Sequence, residues 1–140
     1  MARKKGGIMS REIKYRAWLK EEKKMVIVET IDFSEKSIQY LEKNEIIDVY
    51  LLRRVVFEDV EIMQYTGIKD KNGTEIYEGD ILKDKKGRLA IVKWHGSFSA
   101  FMCCFVSEEN LYKKNKFLYL AYMNLEVIGN IYENSELLEE

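Results

Sequence analysis

From Ile13 to Trp18 the chain alternates: Ile13, Tyr15 and Ala17 interleave with Lys14, Arg16 and Trp18. Period-two alternation predicts a strand with one buried face. A charged stretch, Lys20 to Lys24, predicts a turn, and the β-branched run Met25 to Val28 predicts its hairpin partner. Ile31 to Glu45 fits two patterns. Ser34 before Ile38 and Leu41 suits a capped helix, whereas Ile38 and Tyr40 suit a strand. Ile46 to Phe57 is β-rich apart from a helix-friendly centre, Leu51 to Arg54, and we read both segments as strands.

Beyond Val60 the punctuation is sharper. Glu61 to Thr66 predicts a strand ending at Gly67. Lys69 to Gly73 predicts a tight turn, because Asn-Gly accepts the positive φ that hairpins require. Thr74 to Tyr77 returns, Glu78-Gly79-Asp80 turns again, and Ile81 to Lys83 follows. After the turn Asp84 to Gly87, a strand is predicted over Arg88 to Trp94, with Ala90, Val92 and Trp94 on its apolar face. His95 to Ser97 breaks it. Phe98 to Val106 is almost wholly apolar, as a central strand would be, and Ser107 to Asn115 is polar. Phe117 to Met123 and Glu126 to Tyr132 predict two more strands, and Asn134 is placed to cap a short helix over Ser135 to Glu139.

Short strands separated by turn signals predict an all-β, mainly antiparallel fold with one or two short helices. The C-terminal half is expected to form a small SH3-like barrel. Residues 1–9 read as a flexible leader, 10–62 as an N-terminal β-rich lobe, and 63–140 as the C-terminal barrel lobe ending in the helix. Met9 is a second possible start, since the basic segment Met1 to Ile8 carries no hydrophobic period.

Composition narrows the function classes. Hydrophobic residues make up 46% and aromatics 12%, which suits a folded, strand-rich chain. Lys plus Arg total 23 against 24 Asp plus Glu, so the basic excess of a duplex-binding domain is missing. Charge is uneven, however: the first residues are basic and the last stretch, with Glu126, Glu133, Glu136, Glu139 and Glu140, is acidic. Cys103 and Cys104 are adjacent. Neighbours on a strand point to opposite faces, which argues against a disulfide between them and for a reducing compartment. One His provides no zinc ligand set. No run approaches the roughly 20 apolar residues of a membrane span, and no signal peptide is evident. A cytoplasmic protein without membrane contact is expected.

Three blocks stand out: REIKYRAW at Arg11 to Trp18, MQYTGIKDKNGTEIYEGDIL at Met63 to Leu82, and EVIGNIYENSELLE at Glu126 to Glu139. In this order and spacing the chain resembles the YopX family of phage and prophage proteins from low-GC Gram-positive bacteria. The resemblance runs over nearly the whole chain from Met9. It implies a β-rich cytoplasmic protein encoded in a phage genome, and the family has no agreed biochemical activity. Two positions depart from the family pattern. Leu19 stands where an acidic residue often follows the first Trp, and Ser135 stands where Pro is frequent.

Candidate chemistry is sparse. Asp70, Glu75, Glu78 and Asp80 gather carboxylates near a turn, but their spacing matches no Ca²⁺ loop and Lys69, Lys71 and Lys83 intervene. Turn stabilisation through backbone N–H groups is the simpler role. Gly67, Gly73 and Gly79 recur without the residues of a phosphate loop and serve turns or bulges. His95 is a conceivable base for Ser97, Cys103 or Cys104 as nucleophile, yet the loop offers no acid to orient the ring, and a turn histidine is the simpler role. The aromatics Trp18, Tyr65, Tyr77 and Trp94 lie near Arg16, Lys69, Lys83 and Lys93. That is a pattern of core rings with polar tips, and secondarily of a base-stacking groove.

The expectation is a non-catalytic binding or adaptor domain without metal or cofactor, with a protein partner or a second copy of itself as its ligand. The alternative is a single-stranded nucleic-acid-binding regulator. The candidate binding surface comprises Arg16, Trp18, Tyr65, Asp70, Tyr77, Glu78, Asp80, Lys93 and Trp94.

Overall fold

A computed structural model of the chain describes residues 12–106, 117–119 and 124–139. The leader and the polar segment 107–115 lie outside the described residues, as do residues 120–123 of the strand predicted to run to Met123. Twelve strands are described, with two short 3₁₀ turns at Phe57–Asp59 and Ser135–Leu138, so the fold is all-β and antiparallel as the alternation predicts.

The first sheet grows from the first motif. β1 (Tyr15–Leu19) turns through Lys23, at φ 55°, into β2 (Lys24–Ile27), with Arg16 opposite Ile27 and Trp18 opposite Met25. On its other edge β1 pairs with β6 (Val60–Lys69), Ala17 facing Ile62 and Tyr15 facing Gln64. β6 continues into a pairing with β7 (Glu75–Tyr77). The strand does not stop at Gly67. It passes through a register irregularity between Tyr65 and Lys69, and Gly67 takes φ 88°, a conformation glycine adopts without steric cost.

Between β2 and β6 the chain makes a separate three-stranded sheet from β3 (Thr30–Asp32), β4 (Ser37–Asn44) and β5 (Val49–Val56). The ambiguity over residues 31–45 resolves as strand. Ser34 caps no helix; its hydroxyl donates to Asp32 Oδ1 at 2.7 Å. Ile46 and Ile47 are in the β4–β5 turn rather than in a strand, because Asn44 Oδ1 accepts both their amides and Asp48, at φ 52°, reverses the chain.

The C-terminal half is a curled five-stranded half-barrel. Its strands are β8 (Asp80–Lys83), β9 (Leu89–His95), β10 (Ala100–Val106), β11 (Phe117–Tyr119) and β12 (Glu126–Asn130), in the order β11-β10-β9-β8-β12. The turn between β8 and β9 is the one its residues predict: Asp84 Oδ1 accepts the Lys86 and Arg88 amides, and Gly87 sits at φ 82°.

Two apolar clusters form. Ala17, Leu19, Ile38, Tyr40 and Val60 knit β1, β4 and β6 together. Ile76, Leu82, Ala90, Val92, Cys103 and Leu125 fill the half-barrel. Two ring positions differ from the pattern. Trp94 does not continue the buried face of Ala90 and Val92 but is 51% exposed, packed edge-on against Phe101, and Phe98 lies in the turn before β10. Among the described residues no helix is long and apolar enough to cross a membrane.

Candidate functional site

The conspicuous polar assembly joins the first and middle motifs. Arg16 points off the face of β1 opposite to Ala17, and β7 and β8 bring Tyr77 and Asp80 beneath it. Arg16 Nη2 donates to Asp80 Oδ1 at 2.7 Å and to the Glu78 carbonyl at 3.3 Å, and the guanidinium lies 4.8 Å from the Tyr77 ring centre. Asp80 Oδ2 accepts the Tyr77 amide at 2.8 Å. The carboxylate is almost wholly buried. Burial pushes the Asp80 carboxyl above its ordinary value, and the Arg16 charge and the Tyr77 N–H only partly counter it. Tyr77 also meets Tyr65 at 5.4 Å between ring centres, and Lys14 pairs with Glu75 above them. A shallow cavity of about 360 Å³ opens here, lined by Arg16, Tyr77 and Asp80 with Ile27, Val127 and Asn130.

Asp70 belongs to a different place. Its Oδ1 accepts the Asn72 and Thr74 amides, each at 2.8 Å, and its Oδ2 accepts the Val127 amide at 2.9 Å. Burial raises its carboxyl, but these three N–H groups outweigh it and hold Asp70 below its ordinary value. The acidic block thus serves to fix turns and to tie the β6–β7 turn to β12.

The last motif is a knot of amides. Asn130 Oδ1 accepts the Tyr132 and Glu133 amides, and Asn134 Oδ1 accepts the Asn130 amide at 3.1 Å. Asn134 is therefore turned back towards β12 and makes no side-chain cap on the following 3₁₀ turn, contrary to its expected role. Gly79 closes the same region. Its N–H donates to the Val92 carbonyl, its carbonyl accepts from Ile131, and its φ of 87° is glycine's.

Trp18 stacks on Tyr132 at 5.7 Å and 17°, and a groove of about 330 Å³ beside Tyr132 collects Glu78, Lys93 and Trp94. The candidate residues are therefore not one surface. Arg16, Tyr77 and Asp80 are together; Glu78, Lys93 and Trp94 share a second groove next to Trp18; Tyr65 is core; Asp70 is apart.

Of the nucleophile candidates, the cysteine Cys103 and the imidazole of His95 are on opposite faces of the sheet. Strand register sets His95 opposite Ala100 and Cys103 opposite Val92. Cys103 is wholly buried, and burial pushes its thiol up to about 12. Both cysteines are free thiols.

One surface escaped the sequence reading. The β4–β5 hairpin is rooted by Ile38, Tyr40 and Val55, then runs outward with Leu41, Ile46, Ile47, Val49, Tyr50 and Leu52 all exposed. On β5 every residue from Val49 to Arg54 is exposed, so both faces of the strand are open. The signal was present in IIDVYLLRRVVF: an apolar run without alternation reads equally as a doubly buried strand or as one with neither face covered.

The comparisons agree with the motifs. The family model for YopX protein matches residues 14–139. The chain is similar to a solved structure, the crystal structure of protein EF1440 from Enterococcus faecalis, at 30% identity and a TM-score of 0.57, with 93% of this chain and 100% of that one covered. No curated protein matches the chain. The Arg16–Asp80 assembly, the Asp70 turn and the Asn130–Asn134 knot all fall within the matched residues, and the chain belongs to the YopX family.

Proposed function

We propose that the protein is a non-catalytic binding module of phage or prophage origin, working in the bacterial cytoplasm through protein contacts. The observation that carries this reading is the β4–β5 arm, where apolar side chains such as Ile46, Tyr50 and Leu52 are 93%, 64% and 55% exposed. A contiguous apolar patch held out by a folded domain is characteristic of an interaction site. The polar groups support the same reading from the other side: Asp70, Asp80 and Asn130 are consumed in holding backbone and partner side chains.

The test is affinity capture from lysogenic or infected cells, with nuclease controls and with a Tyr50→Ser/Leu52→Ser variant beside the wild type. Recovery of one protein that survives nuclease and is lost with the variant supports the reading. Trp94, half exposed next to Lys93, is what favours single-stranded nucleic acid instead. Recovery that vanishes on nuclease treatment and is indifferent to the arm would replace the first reading with that one.

A further inference from the structure

We propose that the fork between β2 and β4 is a docking site for an extended segment of a partner polypeptide, which enters as an added strand between the two. The inference adds a second contact surface to the binding module. It stands on main-chain register rather than on the apolar side chains of the arm.

The register shows which main-chain groups line the fork. In an antiparallel pair, alternate residues direct their N–H and C=O groups to the neighbouring strand, and the residues between direct them away. On β2 the Val28 amide donates to the Tyr15 carbonyl, and the same register sets Val26 against Ala17 and Lys24 against Leu19. Met25 and Ile27 therefore turn their main-chain groups outward. Just before β4 the Lys36 carbonyl accepts from the Phe57 amide, so Ile38, Tyr40, Glu42 and Asn44 face β5. Ser37 and Gln39 face β3, opposite Asp32 and Thr30. Leu41 and Lys43 lie beyond the end of β3, with no strand beside their outward groups among the described residues.

These two open edges face each other. The Glu29 N–H donates to the Gln39 carbonyl at 2.8 Å and closes one end of the fork. Counting outward from that bond sets Ile27 opposite Leu41 and Met25 opposite Lys43, yet neither pair is bonded. All four residues instead line one cavity of about 450 Å³. An extended main chain offers donors and acceptors on both of its sides, which is what two facing edges require. The walls set the residue types. Ile27 and Leu41 are 59% and 46% exposed, so the residue seated between them is apolar. Its neighbours point to the other face, where Lys24 Nζ lies 5.8 Å from the Tyr40 ring centre and 3.5 Å from Glu42 Oε1, and are polar.

Short random peptides from a display library, selected against the full chain, supply the probe. A selected peptide with an apolar residue between polar ones is expected to slow hydrogen exchange at the Ile27 and Leu41 amides. A strand held on both edges uses each of its N–H groups, alternately towards β2 and towards β4. N-methylation of the synthetic peptide at each successive residue therefore weakens binding about 3- to 10-fold. Loss at alternate residues only means pairing with a single edge and overturns the insertion. On the protein side, Ile27→Pro removes a donor that the fold does not use and should weaken binding by a similar factor, with circular dichroism checking the fold. The methylated peptides test the same bonds without altering the protein. Ile46→Ser, at the exposed tip of the arm, should bind the peptide as the wild type does. Binding lost with that variant moves the site to the arm and overturns the fork. Failure to select any peptide, or exchange slowed only away from the fork, overturns the proposal as well and leaves the capture test of the arm to decide the wider reading.

Discussion

Arg16 and Asp80 meet at 2.7 Å across a separation of 64 residues, with their side chains only 11% and 2% exposed. The pair joins β1 to the start of β8, so it connects the first sheet to the half-barrel. Breaking a buried pair leaves an uncompensated charge, and Asp80→Asn should cost about 3–5 kcal/mol. Replacing both partners with apolar residues of similar size should cost less than either single change, which urea titration of the three variants will measure.

The sign of the pH effect at this pair follows from the raised Asp80 carboxyl. A group that binds its proton more readily when folded contributes most below its ordinary value, and the contribution is lost as pH rises through the folded value. Removing the guanidinium exaggerates this. Arg16→Met should therefore be markedly more destabilised at about pH 7 than at about pH 4, measured by thermal unfolding in matched buffers.

Asp70 works in the opposite direction. Its carboxyl is lowered, so its contribution is present above the ordinary carboxylate value and is lost as pH falls through the folded value. Asp70→Asn puts an amide where a carboxylate accepts from Asn72, Thr74 and Val127, and should cost about 1–3 kcal/mol. The variant should also show a shallower loss of stability on acidification than the wild type. An acid limb of unchanged steepness would remove Asp70 from that role.

Gly129 is the tightest backbone approach in the last motif: a Cβ there would stand 2.5 Å from Asn134 Oδ1. Gly129→Ala should evict that amide and forfeit its bond to the Asn130 N–H, costing about 1–3 kcal/mol. In an Asn134→Ala background the same change should be nearly neutral. A double-mutant cycle with no coupling would show that the glycine is needed for another reason.

Cys103 and Cys104 should resist thiol-specific reagents in the native protein and react only on unfolding. Cys103 is sealed among apolar side chains with its thiolate disfavoured, and Cys104 is 7% exposed on the opposite face. Labelling followed by mass spectrometry, with and without denaturant, decides it.

The residues by themselves determined the strand-and-turn grammar. Period-two alternation at Tyr15 to Trp18, the Asn72-Gly73 turn and the Asp84 to Gly87 turn depend on neighbours a few positions away, and local chemistry settles them. The same locality made the turn role of Asp70 readable, though not its bond to Val127. What only the tertiary structure decided is which surfaces are covered. The alternation that puts Arg16 and Ala17 on opposite faces cannot say that Asp80 waits under one of them. The apolar run of β5 says that burial is favourable without saying whether this chain supplies the cover. Burial is a relation between segments far apart in sequence, or between molecules, and here the chain folds with both faces of β5 still open.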